Sequence, residues 1–156
     1  MKYYIGIDPG ITGAIAVVGD QDQSCLFTND MPTVPDGKKK QRVNAAGIVH
    51  LIDIYVQYQP DVYIEDVHAM PGQGVSAMFN FGRSCGILEG VMSAMGLRVH
   101  FVTPQAWKRE FKLIGLPKDA SRTVAQRLYP SLDFSTKKSI GIADALLIAH
   151  YGMIHA

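Results

Sequence analysis

The sequence predicts an α/β fold on one mixed sheet, and three observations carry that expectation. Three short β-rich segments follow one another within the first 30 residues, two more alternate with helical stretches up to residue 102, and the remainder is helical in pattern. KYYIGID (2–8) and GAIAVVG (13–19) are apolar runs joined by the turn PGIT, which reads as a hairpin. SCLFTND (24–30) is expected as a third strand. MPTVPDGKKKQR (31–42) combines Pro, Gly and a run of charge and reads as a loop. Asn44 is placed to cap a helix reaching about Tyr58, with apolar positions 48, 51, 52, 54, 55 and 56. DVYIED (61–66) is a fourth strand ending in two carboxylates, and HAMPGQG (68–74) is a second Pro/Gly loop. A long helix is expected over 75–95, then a fifth strand, LRVHFV (97–102). Thr103-Pro104 is an N-cap and first-position pair for a helix through Lys112. Two more helices are expected over about 119–128 and 140–153.

At 156 residues the chain has the length of one domain, and its 47% hydrophobic and 19% charged content is that of a globular protein. No apolar run reaches the roughly 18 residues that span a bilayer, so no membrane role is expected. MKYYIGIDPG brings in Asp8 before an apolar signal region is long enough, so no signal peptide is expected either. Cys25 and Cys85 stand far apart in apolar contexts and read as buried free thiols. The formal net charge of +1 hides a polarity. Residues 1–37 hold one Lys against five Asp, whereas residues 98–138 hold nine Lys or Arg against three acids. Such a basic section either holds a polyanion or is a set of solvated helix faces.

The long helix carries an apolar stripe, Met78, Phe81, Cys85, Leu88, Met92 and Met95. Gly82, Gly86 and Gly90 lie four apart on another face. Each glycine costs a helix about 1 kcal/mol relative to Ala, so three in register imply a closely approaching backbone. That backbone is the chain's own sheet, a second copy in a symmetric homodimer, or DNA.

The carboxylates point to chemistry. Asp8 ends the first strand before Pro-Gly, a design used both to hold a metal in nucleases and to open a phosphate loop in ATP-binding folds. Glu65-Asp66 end the fourth strand, and Asp144 lies in the apolar helix sequence GIADALLIAHYG, where an unpartnered acid is costly. If the first and fourth strands are neighbours, Asp8 and Glu65 end side by side and the last helix can face them with Asp144. Three such acids repel one another unless a hard cation, Mg²⁺ or Mn²⁺, compensates. Two ions about 4 Å apart suit phosphodiester hydrolysis. Alternation along the strand turns Asp66 to the opposite face. No zinc spacing, Ser-His-Asp pattern, GxSxG or Walker loop is present.

GIDPGITGAIAV, YIEDVHAMPGQGVSAMFNFGRSCGILEGV, VTPQAWKREF, KDASRTVAQRLYP and GIADALLIAHYG together resemble the RuvC-type Holliday junction resolvases. The resemblance is strongest to the short phage and bacterial members related to the chloroplast resolvase, and it runs over nearly the whole chain in order. It implies one RNase H-like domain over 1–156, a five-stranded mixed sheet of order 3-2-1-4-5 with helices on both faces, and a cytoplasmic setting in a bacterial or phage-infected cell. It further implies a homodimer, for which the glycine face of the 75–95 helix is one candidate contact, that nicks opposite strands of a four-way DNA junction using Mg²⁺ or Mn²⁺, two ions per site. Asp8, Glu65 and Asp144 match the catalytic metal ligands. The loop 68–74, with His68 and Gln73, falls beside the junction centre, and His68 occupies a place where RuvC has a stacking aromatic. Lys108, Arg109, Lys112, Lys118, Arg122, Lys137 and Lys138 match a phosphate-tracking surface. Lys108 is the first candidate near the scissile phosphate, and Trp107 is read as core rather than as a base-stacking platform.

One departure bears on activity. Family members commonly carry Asp or His three to five positions before the last acid, where this chain has Ser139, Ile140 and Gly141. The Ser139 hydroxyl is the remaining candidate there, through a metal-bound water. The alternative reading is therefore a junction-binding protein with a weakened or lost second metal site. An ATP-binding fold of the actin type needs a second related domain for which the chain has no length, and a ribosomal-RNA-processing nuclease fits the MPGQG and PQAWK blocks less well.

Overall fold

The computed structural model describes residues 1–156. The strands are β1 (Tyr3–Asp8), β2 (Ala14–Gly19), β3 (Cys25–Asp30), β4 (Thr33–Pro35), β5 (Gln41–Val43), β6 (Asp61–Glu65) and β7 (Arg98–Val102). The helices are α1 (Ala45–Val56), α2 (Val75–Ala94), α3 (Pro104–Glu110), α4 (Ala120–Leu128) and α5 (Ile140–His155), the last entered through a 3₁₀ turn over Lys137–Ser139. Both expected caps are made: Asn44 accepts from Gly47 N–H at 3.1 Å, and Thr103 accepts from Ala106 N–H at 3.2 Å.

Five strands form one mixed sheet in the order β3-β2-β1-β6-β7. This is the expected order 3-2-1-4-5 once β4 and β5 are set aside. β1 pairs antiparallel with β2 and parallel with β6, in a register that sets Ile7 opposite Ile64. Asp8 and Glu65 follow that pair, one residue on along each strand.

The 31–42 segment departs from expectation. β4 and β5 pair antiparallel as a small hairpin, closed by the Asp36 N–H donating to the Lys40 carbonyl at 2.8 Å. Three-residue strands around Pro35-Asp36-Gly37 carry too little alternation to stand out against turn residues and charge. Arg83 of α2 holds the hairpin through Asp36 at 3.2 Å.

Period-2 alternation divides the sheet's two faces. Ile5, Ile7, Ile15, Val17, Val62 and Ile64 pack with Ile48 and Ile52 of α1 and Leu88 and Met92 of α2. Tyr4, Ala14, Ala16, Val18 and Tyr63 pack with α5 and with Trp107, Val124 and Ala125 of α3 and α4. α5 is apolar nearly all round because it is covered nearly all round. It lies directly on β1, where a Cβ added to Gly6 would stand 2.8 Å from the Ala149 Cα and overlap the Ala145 carbonyl oxygen and the Ala149 nitrogen. At its start, a Cβ on Gly141 would stand 2.8 Å from the Thr12 carbonyl oxygen.

The glycines of α2 do not pack on the sheet. A Cβ at Gly82, Gly86 or Gly90 meets nothing within 4 Å, and Phe79 beside them is 69% exposed. The apolar stripe read from the sequence does bury Leu88 and Met92. Both cysteines are free, as expected, but half-buried rather than buried. No helix is long and apolar enough to cross a membrane.

Candidate active site

Strand parity places the acids. Tyr4 and Gly6 of β1 and Tyr63 of β6 face α5, so Asp8 and Glu65, two residues on in each strand, face α5 as well. Asp144 comes from the second turn of α5, which the Gly6 and Gly141 contacts hold close to β1. All three carboxylates line one cleft of about 520 Å³, together with Thr12, Phe81, Trp107, Lys108, Lys118 and Ser121.

Burial raises the pKa of each acid, and repulsion from neighbouring carboxylates adds to the rise at Asp8 and Asp144. Asp8 is pushed well above the usual carboxylate range by desolvation first, then by the charges of Asp144 and Glu65. Asp144 is raised to about 6 by burial, with Glu65 adding to the rise. Glu65 is raised by burial, opposed chiefly by the Trp107 indole N–H, which donates to Glu65 Oε2 at 2.7 Å. Lys108 and Lys118 pull all three acids downward. Ser121 faces Asp144 closely enough to lower its pKa somewhat. The pair does not reach full hydrogen-bond geometry, however, and the Ser121 Oγ and Asp144 Oδ1 are both buried without a partner. An orphaned carboxylate oxygen beside two further acids is an electrostatic deficit that a cation answers.

The donor chemistry therefore fits a hard divalent cation: carboxylate oxygens only, no thiolate, no imidazole. As they stand, no three His, Cys, Asp or Glu side chains are gathered tightly enough to hold an ion. Like-charged carboxylates keep apart unless something positive draws them in.

The other expected site residues divide. Lys108 and Lys118 line the cleft, and the Lys108 ammonium lies 5.5 Å from the Trp107 ring centroid. Trp107 is fully buried, as read, but its N–H also orients Glu65, a role the sequence did not signal. Arg109, Lys112, Lys137 and Lys138 are exposed and lie outside the cleft lining. Arg122 differs from expectation. Its side chain is 19% exposed and its guanidinium donates to Asp119 at 3.1 Å and to the Phe134 carbonyl at 3.0 Å, so it ties α4 to the following loop. Ser139 also differs. Its hydroxyl donates to the Thr136 carbonyl at 2.6 Å, and it is not among the cleft residues. His68 is exposed, 3.5 Å from Asp66, and Gln73 accepts from the Met70 N–H at 2.7 Å within the loop. Ser121 was not foreseen, because only the packing of α4 on α5 brings it to Asp144.

The sheet order and the helices on both faces define an RNase H-like fold. Among solved structures the chain is similar to Thermus thermophilus RuvC bound to a Holliday junction substrate, with a TM-score of 0.65 and 18% identity over 99% of this chain and 95% of that one. It is also similar to a second Thermus thermophilus RuvC structure, with a TM-score of 0.57 and 20% identity over 98% of this chain and 95% of that one. In sequence it is 35% identical over 94 residues to the chloroplastic Holliday junction resolvase MOC1 of Chlamydomonas reinhardtii. That match takes in 58% of this chain but only 11% of the relative's length. No protein-family model matches. The chain thus resembles the RuvC-type resolvases in fold and, over part of its length, in sequence.

Proposed function

We propose that the chain is a structure-selective endonuclease that cuts four-way DNA junctions by hydrolysing phosphodiester bonds at the Asp8–Glu65–Asp144 cleft. One observation carries the reading: acids from β1, β6 and α5 converge on a single cleft whose cationic side chains are Lys108 and Lys118. The similarity to RuvC and to a chloroplastic junction resolvase supports the substrate class.

Asp8, Glu65 and Asp144 would hold Mg²⁺ or Mn²⁺, two ions per site. Divalent cations bound there supply a more acidic attacking water and stabilisation for the leaving oxygen. The chain's own groups do the rest. Trp107 holds Glu65 in one orientation through its N–H, as outer-shell donors do for ligands. Lys108 and Lys118 attract the phosphate that must enter beside three acids, and their charges oppose the rise in those acids' pKa values. Hydrolysis in this class leaves a 5′-phosphate and a 3′-hydroxyl.

The exposed α2 face supports a homodimer. Val75 is 84% exposed and Phe79 69% exposed, beside the three open glycines. A second copy there would give the backbone approach the glycines permit and two clefts for paired nicks.

A second reading has its own observation. Ser139 is committed to Thr136, so no fourth ligand precedes Asp144, and the acids are not gathered into a finished ion site. A protein that binds junctions but cuts them poorly fits those facts. Incubating a synthetic four-way junction, each strand labelled in turn, with Mg²⁺, Mn²⁺ or EDTA separates the two. Paired symmetric nicks requiring metal support the nuclease. Tight junction-selective binding without nicks supports the second reading, and absence of both overturns the first and the second.

A further inference from the structure

Three buried side-chain nitrogen or oxygen atoms have no hydrogen-bond partner, and two of them meet in the carboxylate cleft. These are Ser121 Oγ, on the first turn of α4, and Asp144 Oδ1, on α5. The third, Arg122 Nε, belongs to a guanidinium whose other nitrogens are committed to Asp119 and the Phe134 carbonyl. The other buried serines find a carbonyl. Ser84 Oγ donates to the Asn80 carbonyl at 3.0 Å and Ser139 Oγ to the Thr136 carbonyl at 2.6 Å. Ser121 is 3% exposed, and the carbonyl one turn back, that of Pro117, accepts instead from the Ala120 N–H at 3.0 Å. Thr12 is the only other hydroxyl residue in the cleft lining, and it is exposed.

Close packing of α4 on α5 asks only for a small residue, and an alanine would meet it without stranding a hydroxyl. A hydroxyl whose whole role was to hold Asp144 would donate to it in the metal-free chain. Ser121 faces Asp144 closely enough to lower its pKa, yet falls short of hydrogen-bond geometry. Two buried oxygens that face each other unbonded share one need, a cation between their charges and dipoles. The donor chemistry agrees. A serine hydroxyl is a hard, neutral oxygen, and Ser or Thr hydroxyls hold Mg²⁺ in phosphate-loop nucleotide hydrolases. The segment before α5 offers no such donor, because Ser139 is turned to Thr136.

We propose that Ser121 supplies the missing fourth oxygen ligand, its hydroxyl joining the Asp144 carboxylate on a divalent ion. The inference rests on the nuclease reading and deepens it. The fourth ligand then lies on the facing turn of α4, which Val124 and Ala125 pack against α5, rather than on the segment that precedes Asp144.

The test compares Ser121→Ala, Ser121→Cys and the unaltered chain in titrations with Mg²⁺ and with Cd²⁺. Metal midpoints are read from melting temperature without DNA, each variant against its own EDTA baseline, and from cleavage of a four-way junction. Referring each variant to its own baseline separates metal binding from any change in intrinsic stability. Removing the oxygen should raise the Mg²⁺ midpoint at least tenfold, the lower bound for losing even a partner that only orients a ligand. Exchanging oxygen for sulfur should raise the Mg²⁺ midpoint likewise, and should bring the Cd²⁺ midpoint below those of the parent and the Ala variant, because a thiolate favours softer ions. An Ala variant with the parent's Mg²⁺ midpoint overturns the assignment. So does a Cys variant whose Cd²⁺ midpoint matches that of the Ala variant, which would make Ser121 a positioning residue for Asp144. Either result leaves the parent's metal dependence, and with it the cleft reading, intact. A parent chain whose melting and cleavage both ignore metal removes the cleft reading, and the role of Ser121 with it.

Discussion

Substituting Gly6→Ala should disable the cleft without touching any group in it. The new methyl would stand 2.8 Å from the Ala149 Cα and overlap the Ala145 carbonyl oxygen. Ordinary carbon contacts begin at about 3.5 Å, so α5 must lift from β1 by about 0.7–1 Å. The methyl meets backbone, which has no rotamer to change, so the cost belongs at the upper end of the 1–3 kcal/mol typical of overpacking. Reduced freedom of the unfolded chain returns only about 0.4–1 kcal/mol, so destabilisation wins by about 2 kcal/mol. For a chain of this length that lowers the melting temperature by roughly 4–8 °C. Asp144 is carried on the displaced segment, one residue before Ala145, and a misplacement near 1 Å is worth about a hundredfold in rate. The assay is a thermal melt alongside cleavage of a labelled four-way junction in saturating Mg²⁺. A variant melting within 2 °C of the parent and cutting within about threefold of its rate would refute the argument that close helix–strand contact builds the site.

Trp107→Phe keeps an aromatic in the core but removes the donor at 2.7 Å from Glu65, so the pKa of Glu65 should rise. Losing a charge-assisted hydrogen bond costs about 1.5–3 kcal/mol, so cleavage should fall about ten- to hundredfold and the acid limb of its pH profile should move to higher pH. Asp144→Asn should stabilise the metal-free chain. The folded state raises Asp144 from 3.8 to about 6, so it binds that proton more tightly than the unfolded chain does, and stability is lost as pH rises through that window. In EDTA the variant should gain about 3 kcal/mol at pH 7 and nothing below about pH 3.5, measured by denaturant melts at both pH values. Gly86→Ala removes a helix glycine with nothing near its Cβ, so the isolated chain should gain about 1 kcal/mol. If a second copy packs on that face, sedimentation should show weaker association in the same variant, and unchanged association would assign the dimer to another surface.

The sequence was most legible where local chemistry and the final structure agree. The caps at Asn44 and Thr103 and the sheet order followed from local signals and the block resemblance. The shared orientation of Asp8 and Glu65 follows from strand alternation once β1 and β6 are paired. What escaped depends on tertiary contact. Trp107 reads as any buried aromatic until β6 brings Glu65 to its N–H. Ser121 has no signal until α4 packs on α5. The β4–β5 hairpin is too short for periodicity to reveal. Arg122 and Ser139 showed the opposite limit: suitable residue types at suitable spacings, committed by local hydrogen bonds to holding the fold.

The central claim is that Asp8, Glu65 and Asp144 form a cation-dependent centre for cutting branched DNA. It is tested most directly by comparing the unaltered chain with Asp8→Asn on a four-way junction and on linear duplex of the same sequence, in Mg²⁺ and in EDTA. Paired nicks are expected in the junction alone, abolished by EDTA and by Asp8→Asn, with junction binding by the variant retained. Cutting that survives Asp8→Asn, or that ignores the junction in favour of linear duplex, would contradict it.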